Sequence, residues 1–460
     1  MNNKITKILK QTYSYFLIAL FSVIPFWNTG TKGLMERTDA DFPLVPISNL
    51  HSQLYVWYDK VTMGYDVSSA FLSQLPFYSL LAILSKIGLP LPIIERLWFF
   101  LGLFLAGVFS FHLNHYLTKN RLTSILGSLF YIFNPVIMHL LSQGEHVLIM
   151  CYAFAPIFLL LSIKAFDTKQ LKFAFYIALL SIFAAITSVP TLVINFLPCM
   201  LYIFFSAFKK ENRLFALKFF SSLLSLLFIF NAWWFIPGVL SLSGNAQIED
   251  INRMWLINWK TISASASYFY ALIAAGVPRA ILGSVLSLAL IVCTIITVTL
   301  VFFFSKRTSE NHRKISFFLL LLLFSLLFAV GDKGIWGDAQ QFMMMKISQL
   351  QMFRNPYKFA QITMLCYTVM TSLSLSYLIN LTKKNNFKAI ILAFYVFLLL
   401  FANKPILSGN LEGFLEPVSI PNEYYDLNEY IKNNSTTEGI LILPQEEWLS
   451  KYSWTTYDMP

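Results

Sequence analysis

The chain has few charged residues. Asp, Glu, Lys and Arg make up 12% of its 460 residues, about half the share found in an average soluble domain. Hydrophobic residues make up 57%, among them 45 phenylalanines, and they occur in long runs. This composition excludes a soluble globular fold and indicates an integral membrane protein.

The sequence also lacks a cysteine framework and an internal repeat. Its four cysteines lie inside apolar runs without metal-ligand spacing, at Cys151, Cys199, Cys293 and Cys366. We interpret them as small buried hydrophobic residues. The absence of a repeat gives no support to an inverted-repeat transporter.

Apolar runs of roughly 20 residues predict transmembrane helices. On that rule the sequence predicts an all-α polytopic membrane protein with about eleven spans. The predicted spans lie near 11–27, 91–111, 122–141, 147–163, 173–188, 191–208, 215–236, 280–304, 315–330, 359–381 and 387–403.

The loops between these spans alternate in charge. Five loops are rich in Lys and Arg and are predicted to be cytoplasmic, at 112–121, 164–172, 209–218, 305–314 and 382–388. The long loops 28–90, 237–279 and 331–358 are then exoplasmic, with the N-terminus inside and the C-terminus outside. The net charge of +11 is a topology signal of a plasma-membrane protein, and we expect no nucleic-acid partner.

The composition changes after residue 403. Residues 404–460 are polar, with an amphipathic helix predicted from Glu423 to Lys432 and a short strand at 439–444. We therefore divide the chain into a transmembrane domain, 1–403, and the start of an α/β exoplasmic segment, 404–460. That segment is either a truncated soluble domain or one completed by the membrane part.

Two carboxylates directly follow the first span. Asp39 and Asp41 are one residue apart, on the side predicted to be exoplasmic. Carboxylates at such a place can take a proton from a sugar hydroxyl, or Asp41 can help to hold a divalent cation. The alternative is an ordinary solvated turn before Pro43.

A second candidate precedes the span near 359. Asn355-Pro356 suits the start of a helix, and Arg354 and Lys358 flank that start. Two cations there oppose the helix dipole unless an anion binds, and their depth matches a lipid phosphate. The alternative is a pair of cations that reach toward the membrane surface.

Aromatic and basic residues in the exoplasmic loops form a weaker set of candidates. Trp57, Arg253, Trp255 and Trp336 have the chemistry to stack on or bond to a sugar. Interfacial aromatic residues more often form the membrane belt.

Several segments together resemble a known family. They are Arg37-Thr-Asp-Ala-Asp-Phe-Pro-Leu-Val-Pro46, Gly88-Leu-Pro-Leu-Pro-Ile-Ile-Glu-Arg-Leu-Trp98, Tyr131-Ile-Phe-Asn-Pro135, Phe353-Arg-Asn-Pro-Tyr-Lys-Phe359 and Leu441-Ile-Leu-Pro444. The pattern resembles the membrane arabinofuranosyltransferase D family, in the GT-C class of polyprenyl-phosphate-sugar glycosyltransferases. The resemblance implies an active site on the outer face and a lipid-phosphate sugar donor. It also implies a first-loop base, matched by Asp39 or Asp41, and a donor-phosphate contact, matched by Arg354 and Lys358.

We therefore predict an inverting membrane glycosyltransferase. With 1–403 as its GT-C-like catalytic domain, it would move a sugar from a polyprenyl-phosphate donor to an envelope glycan or glycolipid on the exoplasmic face of the membrane. The resemblance implies arabinofuranose as the sugar, and the residues themselves leave the sugar open. Asp39 is weakly favoured over Asp41 as the base, and a divalent cation is the only cofactor considered. The alternatives are a flippase for lipid-linked saccharides and a non-catalytic assembly scaffold.

Overall fold

The computed structural model describes most of the chain. The described residues are 2–35, 42–58, 65–66, 72–186, 189–242, 310–329, 331, 335–347, 350, 353, 356–418 and 421–434.

Helices account for nearly all of this structure. In chain order they are α1 (Asn2–Val23), α2 (Pro46–Gln53), α3 (Leu75–Lys86), α4 (Leu91–Thr118), α5 (Arg121–Ile132), α6 (Pro135–Ser142), α7 (His146–Thr168), α8 (Lys172–Ala184), α9 (Val189–Ala207), α10 (Arg213–Leu242), α11 (Glu310–Ala329), α12 (Gly337–Lys346), α13 (Ala360–Leu381), α14 (Asn385–Ala402), α15 (Lys404–Leu407) and α16 (Asn422–Asn434). Two short antiparallel strands, β1 (Trp57–Tyr58) and β2 (Tyr65–Asp66), pair Trp57 with Asp66 and Tyr58 with Tyr65.

The long apolar helices confirm the predicted polytopic α-helical class. Among the described residues, eight helical segments are long and apolar enough to cross a membrane. Two predicted spans are shorter apolar helices, Thr12–Phe26 and Lys172–Ala184, and the predicted span 280–304 lies outside the described residues. The count of eleven is therefore not confirmed.

Helix α7 is the centre of the bundle. It packs against α4, α8 and α9, and 89% of its span is buried, compared with 17% of the α10 span. Small residues permit the closest contacts: a Cβ at Gly102 of α4 would lie 2.7 Å from Ile149 Cγ2 of α7. Close helix approach at small residues is the usual packing device inside a membrane.

The span from Arg121 to Ser142 is two helices, not the single helix predicted over 122–141. Helix α5 ends at Ile132 and α6 begins at Pro135. The Asn134 side chain caps α6 by accepting the N–H groups of Val136 and Ile137, at 2.9 and 3.1 Å. Proline at the first helical position has no N–H to lose, so the Asn-Pro pair starts a new helix inside the span.

Two tyrosines hold this break in place. The rings of Tyr131 and Tyr152 stack with centroids 4.2 Å apart. Each hydroxyl donates to the other residue's carbonyl, at 2.9 and 2.8 Å, and Asn134 Nδ2 donates to the Tyr152 hydroxyl at 3.1 Å. The three side chains are almost fully buried, so the polar groups at the break satisfy one another.

The bundle has two chemically different ends. At the inner end, where α4 and α7 finish, the Tyr116 hydroxyl donates to Asp167 at 2.8 Å, and Lys169 contacts Asn212, just before α10. Basic loops therefore meet at this end, which the sequence predicts to be cytoplasmic. The outer end is the opposite one, where α1 finishes and α4 and α7 begin.

The segment after the last span folds back onto the outer end. Val418 N–H donates to Leu34 carbonyl at 2.9 Å, and Asn28 N–H donates to Gly409 carbonyl at 3.1 Å. The Trp27 indole donates to Leu407 carbonyl at 3.2 Å. Residues 404–418 thus pack on the loop that follows α1. The predicted amphipathic helix is present as α16, and the predicted strand 439–444 lies outside the described residues.

Candidate functional site

The structure describes three of the eight site residues predicted from sequence. Trp57 lies on β1, Trp336 directly precedes α12 with 56% of its surface exposed, and Lys358 lies in a 3₁₀ turn. The other five lie outside the described residues: Asp39, Asp41, Arg253, Trp255 and Arg354. The predicted grouping of these residues therefore stays a prediction.

Glu95 holds the first loop immediately before the predicted acidic pair. The backbone N–H of Met35 donates to both carboxylate oxygens of Glu95, each at 3.0 Å. Glu95 is 1% exposed. A buried carboxylate that accepts backbone N–H groups forms charge-assisted bonds, which are stronger than neutral ones. The chain is therefore fixed one residue before segment 36–41.

Arg96 holds the preceding part of the same loop. Its guanidinium donates to Thr29 Oγ1 at 3.1 Å, Thr29 carbonyl at 3.2 Å and Gly33 carbonyl at 3.2 Å. It also donates to Pro92 carbonyl at 2.7 Å, and it contacts Glu95 at 3.5 Å. Arg96 thus pairs with Glu95, but most of its bonds are with the first loop.

Phe42 holds the other side of segment 36–41. Its ring is 3% exposed, and its centroid lies 6.1 Å from that of Phe77 and 5.5 Å from that of His146. Trp98 completes this group: its ring packs 4.6 Å from Phe77, and its indole donates to His146 carbonyl at 2.8 Å. The first loop therefore returns to the bundle at the first residue of α7.

Lys358 lies in the turn that opens α13. Pro356 begins the helical segment, as predicted, but the first turn, Pro356–Phe359, is a 3₁₀ helix. The turn packs against α9 and α11, and the Phe359 ring stacks on Phe328 at 5.2 Å. Lys358 itself is half-buried in this turn.

A polar junction lies beside this turn and consists of Cys151, Asn195 and Gln361. Asn195 Nδ2 donates to Gln361 Oε1 at 3.0 Å and to Cys151 Sγ at 3.1 Å. All three residues are buried. The junction joins α7, α9 and α13 near their outer ends and fixes the helix on which Lys358 lies.

The first loop and the start of α13 are therefore tied to the same part of α7. Phe42 contacts His146, and Gln361, three residues after Lys358, is joined through Asn195 to Cys151, five residues further along the helix. Five helical residues span about 7.5 Å along the axis. The outer end of α7 thus supports residues on the flanks of both predicted parts of the site.

An apolar groove of about 480 Å³ lies nearby, between α8, α9 and α10. Polar groups occur in it at Asn231, which donates to Ser181 Oγ at 2.8 Å and accepts from the Trp234 indole at 2.9 Å. Asn231 is 18 residues after Arg213, or about 27 Å along α10, so the polar part lies toward the outer end. The other lining residues are Leu192, Val193, Phe196, Leu197, Met200, Leu224, Leu227, Phe228 and Phe235.

Metal ligands were predicted only around Asp41. Within the part of the chain that the structure describes, no group of three or more His, Cys, Asp or Glu side chains is arranged to hold a metal. Asp41 itself lies outside that part, so the role of a divalent cation stays a prediction.

Three contributors to this site were not identified from the sequence: the roles of Glu95 and Arg96 as loop anchors, and Phe42. Their partners lie dozens of residues away, and no local pattern indicates them. One signal was available: an acid and a base at the start of a predicted span must be bonded, because charges are rarely left unpaired there.

Comparison with protein families decides the assignment. Residues 26–460 match the family model described as "Alpha-(1->3)-arabinofuranosyltransferase, N-terminal GT-C domain". The chain belongs to this family. The resemblance inferred from its motifs is confirmed, and the family is one of membrane glycosyltransferases.

Solved structures agree with this family at the level of the fold. The cryo-EM structure of arabinofuranosyltransferase AftD from Mycobacteria matches with a TM-score of 0.63 and 14% identity over 92% of this chain. A mutant of that enzyme matches with a TM-score of 0.57 and 12% identity over 92% of this chain. This GT-C chain spans 28% and 29% of the two solved chains. No curated protein matched the chain.

Proposed function

We propose that this protein transfers a sugar from a polyprenyl-phosphate donor to an envelope glycan or glycolipid at the outer face of the plasma membrane. The family supports a pentofuranose, arabinofuranose, as the sugar. The acceptor hydroxyl attacks the anomeric carbon, and the bond from that carbon to the donor phosphate oxygen breaks. The configuration inverts, and the polyprenyl phosphate leaves.

Asp39 or Asp41 is the proposed base, with Asp39 favoured. It takes the proton of the acceptor hydroxyl, a contribution of roughly 10² to 10⁴ in rate for a well-placed base. Arg354 and Lys358 stabilise the negative charge that develops on the departing phosphate. Arg354 offers a planar fork of donors and Lys358 a point charge.

One observation carries the proposal: the residues that flank the two parts of the predicted site are tied to the outer end of the bundle, at the start of α4 and of α7. The segment that contains the two Asp residues is anchored on one side by Glu95 and on the other by Phe42 at His146. Gln361, three residues after Lys358, is joined through Asn195 to Cys151 of the same helix. Fixed flanks favour catalysis, because a base must be held within hydrogen-bond reach of its proton.

The groove between α8, α9 and α10 supports a lipid-linked donor. Its lining is almost wholly apolar. Part of that lining is the segment 192–197 of α9, and Asn195 of the polar junction lies within the same segment. A polyprenyl chain in the groove would therefore place its phosphate near the outer ends of α9 and α13. Among the side chains that the structure describes, Glu95 is the one buried carboxylate, and it bonds to backbone. The described spans therefore contain no row of buried acids that could line a transport path, as a flippase would need.

The decisive experiment replaces the two carboxylates one at a time. Asp39→Asn and Asp41→Asn are assayed for transfer from polyprenyl-phosphate arabinofuranose in membranes, with Asp426→Asn, an exposed acid on α16, as the control. Loss of at least 100-fold in rate in one Asp variant, with normal insertion and an active control, identifies the base. Full activity in both variants refutes the mechanism, and donor flipping without transfer would indicate the flippase instead.

The donor contact is tested separately at Lys358. Lys358→Met should raise the apparent KM for the donor about tenfold or more while the acceptor KM stays unchanged. Lys346→Met, an exposed cation at the end of α12, is the matched control. An unchanged donor KM in Lys358→Met would leave Lys358 as a cation of the membrane surface.

A further inference from the structure

A cavity of about 310 Å³ lies at the inner end, away from the proposed active site. It is formed where α7 and α9 finish and where α10 and α11 begin. Small-molecule sites usually have volumes of about 300 to 1,000 Å³, so the cavity is large enough for a small polar group. Four cations and two acids line it: Lys169, Lys209, Arg313, Lys314, Asp167 and Glu211.

The two acids already have partners. Asp167 accepts the Tyr116 hydroxyl at 2.8 Å. Glu211 pairs with Lys209 at 3.6 Å, in an exposed contact at the rim. Four cations against two acids leave the lining with an excess of two positive charges.

Two of the cations rest on neutral groups. Lys169 donates to Asn212 Oδ1, and its ammonium lies 5.2 Å from the Phe215 ring centroid. The Arg313 guanidinium lies 5.5 Å from the Phe205 ring centroid. Among the described residues neither has a carboxylate partner, so the cavity has a local excess of positive charge.

Ser206 gives an independent indication of a ligand. It lines the cavity and is fully buried, and its hydroxyl has no hydrogen-bond partner among the described residues. Most serines inside these helices donate to a carbonyl of the preceding turn, as Ser162 does to Phe158. A buried polar group without a partner costs about 1–3 kcal/mol, and a ligand oxygen in the cavity would remove that cost.

We propose that this basic cavity binds a phosphate group. The guanidinium fork of Arg313, the ammonium of Lys169 and the Ser206 hydroxyl are all donors, and a phosphate offers only acceptors. The cavity opens among helix ends at the level of lipid headgroups, on the face predicted to be cytoplasmic, where anionic lipids gather. The phosphate therefore comes from an anionic phospholipid or from a soluble phosphate.

The test uses the purified full chain in detergent, with phosphatidylglycerol and inorganic phosphate as separate probes. Native mass spectrometry should detect one tightly held phosphatidylglycerol per protein. Arg313→Gln should weaken its retention about tenfold, and Ser206→Ala about threefold without any change in charge. Lys383→Gln and Lys384→Gln, exposed cations between α13 and α14 that do not line the cavity, should leave it unchanged.

The two sources of phosphate give different outcomes. If the site serves a lipid, millimolar inorganic phosphate neither displaces phosphatidylglycerol nor raises the thermal midpoint. If it serves a soluble phosphate, inorganic phosphate raises the midpoint of the wild type but not of Arg313→Gln. Equal responses of wild type, Arg313→Gln and Ser206→Ala to both probes would overturn the proposal. Arg313→Lys, which keeps the charge but loses the fork, replaces Arg313→Gln if that variant does not elute as a single species.

Discussion

The outer and inner ends of the bundle use charge in opposite ways. At the outer end, Glu95 and Arg96 have side chains only 2% and 12% exposed, and they bond mainly to backbone. At the inner end, Lys209 and Glu211 form an ion pair whose side chains are 49% and 73% exposed. Nearby, Lys169 and Arg313 rest on aromatic rings.

The contrast between the two ends shows that charged side chains have two different roles in this fold. Buried charges whose nitrogen and oxygen atoms all have partners determine where the backbone lies, since moving that backbone would leave an ion unsatisfied. Half-exposed cations on rings have no such task and are free to meet an anion. The outer end therefore positions a loop, while the inner end is suited to bind.

The largest effect is expected at the buried pair of Glu95 and Arg96 at the outer end. Glu95→Ala leaves Arg96 without its acid and Met35 N–H without an acceptor. Loss of one partner of a buried pair typically costs about 3–5 kcal/mol. We expect a fall of that size in the unfolding free energy from SDS titration in mixed micelles, together with loss of sugar transfer. A variant as stable and active as the wild type would show that the contacts of Glu95 with Met35 and Arg96 have no role in stability or transfer.

A smaller effect is expected at the break between α5 and α6. Asn134→Ala removes the cap of α6 and the donor to Tyr152, and together these amount to about 2–3 kcal/mol. Asn120→Ala removes the cap at the inner end of α5, which is a single bond to Thr123 N–H at 3.2 Å, and should cost about 1 kcal/mol. The two variants are compared in the same SDS titration, and equal losses would contradict the special role of the buried cap.

Two glycines of the first loop separate packing from backbone strain. Gly33 and Gly30 both have positive φ, +73° and +65°, but a Cβ at Gly33 would lie 2.6 Å from Val418 carbonyl oxygen, whereas none would be near Gly30. Gly30→Ala should therefore cost about 1 kcal/mol from strain alone. Gly33→Ala should cost about 2 kcal/mol and weaken the Leu34–Val418 contact, as measured by faster amide hydrogen exchange at Val418.

The smallest effect is expected at the exposed inner pair. Glu211→Gln should change the unfolding free energy by less than about 1 kcal/mol, since exposed ion pairs contribute little. The same titration measures it beside Glu95→Ala. A loss as large as that of Glu95→Ala would remove the contrast between the two ends.

Much of the fold follows from the sequence, because apolar length alone indicates a span. The prediction 147–163 became His146–Thr168, and 387–403 became Asn385–Ala402. Gln143 lies between α6 and α7, at a turn that the sequence predicts there, whereas Val189 and Pro190, predicted to form a turn, begin α9. The break at Asn134-Pro135 was not predicted, although Asn355-Pro356 was used as a helix-start signal elsewhere. Hydropathy does not distinguish a capped helix start inside an apolar run from a continuous helix.

The site was less accessible to sequence reasoning. Lys358 was singled out because a cation at a helix start is locally unusual, and its role stays a prediction. The roles of Arg96 and Phe42 depend on contacts with distant parts of the chain, and neither cavity has a local pattern. Such features arise only when helix ends meet, so composition and periodicity cannot reveal them.

The hydrogen bonds between the first loop and residues 404–418 have a consequence for the order of folding during synthesis. Glu95 can accept the N–H of Met35, 60 residues upstream, soon after the second span emerges from the ribosome. The Trp27 indole can bond only after Leu407, 380 residues later, has been synthesised. The outer end is therefore assembled in two stages during synthesis, and the loop beside the acidic pair is closed over only after the last described span has crossed the membrane.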